Sequence, residues 1–253
     1  MPFATMYDRR LYYAQSKAQT PDAPVLVLIH GAGGNHLHWP AGLRRLPGAT
    51  VYALDLPGHG RSDGPGCDTV AGYVDVVLGF LDDIGSERAV LVGHSMGGAI
   101  AQTAALNYPQ RVAGLVLVGT GGRLRVAPAI LEGACNDFEG AVRLITRFAW
   151  AKDAPQELVR LGIQALSETP PQVLHADFFA CDNFDVLERL GEISAPTLVV
   201  AGTADLLTPP KYGAHLAERI PQARLCTIEG GGHMMALEQP DVLAGAVAEF
   251  ISG

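Results

Sequence analysis

The sequence predicts an α/β fold: a mostly parallel, twisted sheet flanked by helices, with a helical cap inserted between two of its strands. Three observations carry this. Short runs rich in Val, Leu and Ile recur between Gly, Pro and Asp, as strands covered on both faces should. Helical patterns separate most of these runs, which implies parallel pairing through right-handed crossovers. One long stretch, from Gly121 to Glu192, holds no convincing strand.

Taken in order, Thr5 to Asp8 and Leu11 to Gln15 suit an N-terminal hairpin. Val25–Ile29, Val51–Leu54, Val90–Val92, Leu115–Val118, Leu198–Ala201 and Leu225–Ile228 are expected as buried strands. Val70–Asp83, Gly98–Asn107, Tyr212–Arg219 and Asp241–Ile251 are the expected crossover and terminal helices. Within the strand-free stretch, Phe138, Val142, Ile145 and Ala149 step at helical spacing. Pro155 opens a second helix, with Leu158, Leu161 and Ala165 on one side, and Pro170 and Pro171 open a third. A crossover seldom needs more than one helix. Residues 121–192 are therefore expected to form a cap, and residues 1–120 and 193–253 one core.

Composition narrows the partners. The 253 residues, 48% hydrophobic and 17% charged, suffice for a large buried core. The net charge of −8 and the lack of a basic stripe argue against nucleic acid and anionic membranes. No apolar run approaches the ~18 residues of a membrane span, and the N-terminus has no basic-then-apolar signal pattern. Cys67, Cys135, Cys181 and Cys226 form no CxxC and suit reduced thiols in a cytoplasmic protein. A small-molecule substrate is the partner expected; nothing in the sequence bears on oligomeric state.

Gly93-His94-Ser95-Met96-Gly97 carries the chemistry. An apolar strand precedes it and a helix-forming run follows, so Ser95 sits on a sharp strand-to-helix turn that lifts its hydroxyl clear of the sheet. A Cβ at position 93 or 97 would crowd that turn. A serine hydroxyl needs a base within reach. His233, in Glu229-Gly230-Gly231-Gly232-His233 after the last strand, is the best placed of the eight histidines, and an ordinary imidazole, at ~6.5, can take and return a proton. Asp205, after Leu198–Ala201, is the acid that would fix its tautomer. His30-Gly31-Ala32-Gly33-Gly34 follows the first parallel strand, and its small residues would let the backbone approach a reacting carbonyl oxygen. The N–H groups of Ala32 and Met96 are therefore the expected oxyanion donors. A dinucleotide loop is excluded, because His36 stands where the third glycine belongs.

These segments, together with Asp55-Leu56-Pro57-Gly58-His59-Gly60-Arg61-Ser62, follow the order of an α/β-hydrolase fold serine hydrolase, which nearly the whole chain resembles. The elbow is similar to those of small carboxylesterases, monoacylglycerol lipases and enol-lactone hydrolases. Haloalkane dehalogenases and epoxide hydrolases place an aspartate where Ser95 stands. Some relatives carry the acid after the preceding strand, but Gly119-Thr120-Gly121-Gly122 holds no carboxylate. The resemblance implies that Asp55 and His59 are scaffold.

The expected activity is hydrolysis of neutral short- to medium-chain carboxylic esters through an acyl-enzyme, without metal or cofactor. Lactone hydrolysis and C–C hydrolysis of dienoic keto acids would use the same machinery, and some proteins of this fold serve as small-molecule receptors. Trp39, Phe138, Phe148, Trp150, Phe178 and Phe179 are candidates for the acyl-pocket wall. Arg123 and Arg125 could meet a substrate carboxylate. His36 and His38 form an H-x-H pair with no second cluster to complete a zinc site.

Overall fold

In a computed structural model, residues 3–6, 9–20 and 22–253 are described. The strands are β1 (Phe3–Met6), β2 (Arg9–Ser16), β3 (Val25–Ile29), β4 (Thr50–Leu54), β5 (Ala89–His94), β6 (Val112–Val118), β7 (Thr197–Gly202) and β8 (Ala223–Ile228). The helices are α1 (Ala41–Arg44), α2 (Val70–Asp83), α3 (Met96–Asn107), α4 (Pro128–Asn136), α5 (Phe138–Ala149), α6 (Gln156–Ser167), α7 (Pro171–Asp182), α8 (Pro210–Arg219), α9 (Met235–Glu238) and α10 (Pro240–Ser252).

The strands form one sheet in the order β1-β2-β4-β3-β5-β6-β7-β8. β1, β2 and β4 pair antiparallel, and every pair from β4 to β8 is parallel. The expected hairpin is thus present, with its Tyr7 and Asp8 outside the described residues.

Alternation along each strand divides the core into two layers. Val27, Ile29, Leu91, Leu115 and Leu117 face the side covered by α2 and α3. Leu26, Leu28, Val90, Val92, Val116 and Val118 face the side covered by α1, α9 and α10. In α2, Val70, Tyr73, Val74, Val77, Phe80 and Leu81 form one buried stripe, and Thr69 caps the helix by accepting from the Gly72 N–H.

β8 departs from the expectation of a strand covered on both faces. It is the last strand of the sheet, and Arg224 and Leu225 are exposed, Leu225 at 44%. Between β6 and β7 lie four α-helices, not the three expected, and a 3-10 turn at Leu187–Glu192. α4 was not expected, because only its Ile130 and Ala134 are buried and two residues make no periodic stripe. α5 to α7 begin within one residue of the expected starts, but α6 turns Leu166 inward and leaves Leu161 exposed. Ile130, Val142, Ile145, Leu166 and Leu174 give these helices an apolar cluster of their own.

Candidate active site

The elbow is local backbone geometry. Ser95 lies between β5 and α3 at φ 53°, ψ −114°, and among the described residues it is the one non-glycine with positive φ. Such a conformation is costly and persists only where the surroundings enforce it. Here the Ser95 N–H donates to Val118 O (3.0 Å), and the Thr120 hydroxyl donates to Ser95 O (2.8 Å). A Cβ on Gly93 would lie 2.2 Å from Gly97 O, and one on Gly97 would lie 2.1 Å from Ile29 O. Both positions therefore require glycine. Met96 opens α3, so its N–H has no intrahelical acceptor and sits at the positive end of the helix.

β7 and β8 deliver the second half. Asp205 follows β7, and His233 lies between β8 and α9. His233 Nδ1 lies 2.9 Å from Asp205 Oδ2; a carboxylate accepts, so Nδ1 carries the proton and Nε2 is left as the basic nitrogen. Asp205 is only 2% exposed. Burial opposes its charge, but His233 and the Thr208 bonds outweigh burial and hold its carboxyl below the usual range. Its Oδ1 accepts from the N–H groups of Leu207 and Thr208, and its Oδ2 accepts from the Thr208 hydroxyl (2.7 Å). That hydroxyl lies 3.2 Å from His233 Nδ1. His94 donates from Nε2 to His233 O (2.9 Å); burial, then the adjacent His233, push its pKa down to about 3, so it adds no second cation.

Ser95 and His233 line one cavity of about 440 Å³, together with Gly31, Ala32, His38 and His94. Helices α4 to α6 supply much of the opposite wall through Ile130, Leu144, Ile145, Phe148 and Leu166.

The expected aromatics divide. Phe148, Trp150 and Phe178 line the cavity. Trp39 is packed against Leu43 and the sheet at 1% exposure, Phe138 packs on the apolar cluster of α4 to α7, and Phe179 is 42% exposed and stacked on His175. Arg125 also lines the cavity, yet its guanidinium donates to Asp182 O (2.6 Å); Arg123 pairs with Asp185. His36 bonds Asp55 through Nδ1 (2.7 Å), while His38 lies at the cavity.

Two polar residues of this region, Thr208 and Thr169, went unread in the sequence, and Asp177 is read there, with Asp182 and Asp185, only as a rival to Asp205 for the acid. For Asp177 a signal exists. It falls on the same stripe of α7 as Val173, Leu174, Ala180 and Cys181, and a lone carboxylate in a buried stripe requires partners.

A serine elbow at the carboxyl ends of parallel strands, sharing one cavity with a bonded His–Asp pair, fits a hydrolase of the α/β class. The chain belongs to the alpha/beta hydrolase family, whose model matches residues 26–246. It is 31% identical to a 2-hydroxy-6-oxo-6-phenylhexa-2,4-dienoate hydrolase of Comamonas testosteroni, over 91% of this chain and 88% of that one. It is also 31% identical to a putative carbamate hydrolase, RutD, of a Caulobacter species, over 96% of both chains. Among solved structures, a thermophilic esterase superposes with a TM-score of 0.86 at 33% identity, over 99% of this chain and 96% of that one.

Proposed function

We propose that this hydrolase cleaves neutral carboxylic esters through an acyl-enzyme on Ser95. His233 Nε2 takes the Ser95 proton as the hydroxyl attacks the ester carbonyl, and the N–H groups of Ala32 and Met96 hold the oxyanion. Asp205 keeps the proton on Nδ1 and stabilises the imidazolium. The imidazolium protonates the leaving alcohol, and water then repeats the sequence on the acyl-enzyme. No step calls for a metal or cofactor. Residues 121–192 act as the cap that roofs the cavity, with Phe148 and Phe178 in the acyl wall. The four unbridged cysteines suit a cytoplasmic setting.

The observation that carries the reading is the strained Ser95 sharing one apolar-walled cavity with a His233 already bonded to Asp205. Neutral esters are favoured over dienoic keto acids by the lining: Arg125 is its one cationic side chain among the described residues, and that side chain is engaged with Asp182. The likeness to the Comamonas dienoate hydrolase keeps C–C hydrolysis as the second reading. The test is kcat/KM for p-nitrophenyl esters of graded chain length, beside a lactone and a dienoic keto acid. Esters should lead. A keto acid turned over orders of magnitude faster than every ester would replace the first reading by the second, and single-turnover hydrolysis of all of them would indicate a receptor.

A further inference from the structure

The loop that carries Ala32 is glycine-rich and, taken alone, conformationally permissive. The cap holds it. The Gly33 N–H donates to Asp177 Oδ2 (2.8 Å), and Gly33 O accepts from the Thr169 hydroxyl (2.9 Å). Both polar groups of one residue are thus taken by side chains from the segment between β6 and β7. Gly33 lies directly beneath that segment: a Cβ there would fall 2.5 Å from Leu166 Cδ1 and 2.7 Å from Leu174 Cδ1, and φ is +64°.

Asp177 is itself fixed from the core. It is fully buried, and besides Gly33 it accepts from His59 Nε2 (2.8 Å) and from the Tyr73 hydroxyl. The other ring nitrogen of His59 faces Pro57 O at 3.0 Å. Both nitrogens therefore face oxygen acceptors, so the ring carries both protons and the pair is a buried ion pair. Only donors meet the carboxylate, which leaves it no freedom to turn from Gly33.

We infer that Asp177 and Thr169 are positioning residues that align the Ala32 oxyanion donor by clamping Gly33, so that docking of the cap sets the oxyanion hole. The inference rests on the proposed acyl-enzyme reading and adds to it. Oxyanion donors act only if held in place before charge develops, and displacement by about 1 Å can cost on the order of 10²-fold. The peptide that presents the Ala32 N–H is one residue from the clamp, so loss of either bond is felt there first.

The test compares Thr169→Val and Asp177→Asn with Thr169→Ser. Thr169→Val removes one hydroxyl at constant shape. Thr169→Ser restores it. Thr169→Val and Asp177→Asn should lower kcat by about 10- to 100-fold with little change in KM. They should weaken binding of an alkyl boronic acid, which forms a tetrahedral adduct on a serine, by a similar factor. Thr169→Ser should keep the parent kcat and boronate affinity. Unchanged kcat and boronate affinity in Thr169→Val overturns the inference, as does a Thr169→Ser as slow as Thr169→Val, since the hydroxyl would then not be what matters. If Asp177→Asn does not fold, the Thr169 pair decides alone. Failure of the acyl-enzyme reading is separate: the parent protein would not be labelled at Ser95 by an organophosphonate, whatever the clamp variants do.

Discussion

Ser95, Asp205 and His233 are distant in the chain and come together because each follows the carboxyl end of a parallel strand, where loops of an open sheet converge. As expected catalytic residues all three could be picked out in the sequence because each followed an apolar run in a workable order, and the Asp205–His233 bond agrees with that expectation. Thr208 could not be, because a hydroxyl three residues past an aspartate becomes significant only when the loop folds it onto the carboxylate. The residue-scale expectation concerns Asp205. Asp205→Asn should fold, yet its amide can present an N–H to His233 Nδ1, favour the wrong tautomer, and offer no charge to an imidazolium. A comparable change in another hydrolase costs ~10⁴ in kcat. Steady-state kinetics of the variant check it, and a loss below about tenfold would move the acid elsewhere. Asp177, Asp182 and Asp185, the rival acids between β6 and β7, are bonded to Gly33 and His59, to Val126, and to Leu187 respectively.

At the scale of elements, legibility follows burial. α2, with six buried residues in one stripe, was readable to its ends, whereas α4, with two, was not. β8 reads as apolar but is the edge, because position within a sheet is a tertiary fact. The aromatics between β6 and β7 show the same limit. Helical spacing marks them as inward-facing, but only packing separates Phe148 and Phe178 at the cavity from Phe138 on the apolar cluster of α4 to α7. Each substrate CH₂ buried against the cavity wall is worth up to ~0.8 kcal/mol, or about fourfold in kcat/KM. Specificity should therefore rise with acyl length until the cavity is full, then fall. Phe148→Ala or Phe178→Ala should move the optimum to longer chains, while Phe179→Ala should not. A profile across p-nitrophenyl esters checks this, and an optimum unmoved in both cavity variants places the acyl group elsewhere. The His233 loop is tied to the segment between β6 and β7: Glu238 accepts from Ala151 N–H (2.9 Å) and Gly232 N–H (2.6 Å).

Across the whole molecule, the buried histidines couple stability to pH. Burial, followed by neighbouring histidines, pushes His30 well below the ordinary imidazole value, His38 to about 4 and His94 to about 3. Unfolded, each titrates near ~6.5, so unfolding takes up protons below that pH and stability falls as pH falls. His59 has the opposite sign. Burial opposes its charge, but Asp177 outweighs burial and raises its pKa. Its contribution is fully present below ~6.5 and is lost as pH rises through the raised value. Denaturant midpoints measured from about pH 4.5 to 9 should therefore peak near neutrality. Their acid-side slope should approach an uptake of about three protons, one each for His30, His38 and His94. Stability flat between about pH 5 and 7 would mean that these rings are hydrated rather than buried. None of the three shifts was legible in the sequence, since a histidine's burial is decided by the layers that close over it.

The central claim, an acyl-enzyme on Ser95, is tested most directly by pairing one substitution with one label. Ser95→Ala should fold like the parent, because the hydroxyl serves chemistry rather than packing, and should lose ester turnover by as much as ~10⁶ in kcat, by comparison with triad removal in another hydrolase. An organophosphonate should add once per chain to the parent protein, at Ser95 by peptide mass mapping, and not at all to the variant. Turnover by Ser95→Ala above a few per cent of the parent rate, or an adduct on any other residue, would contradict the mechanism.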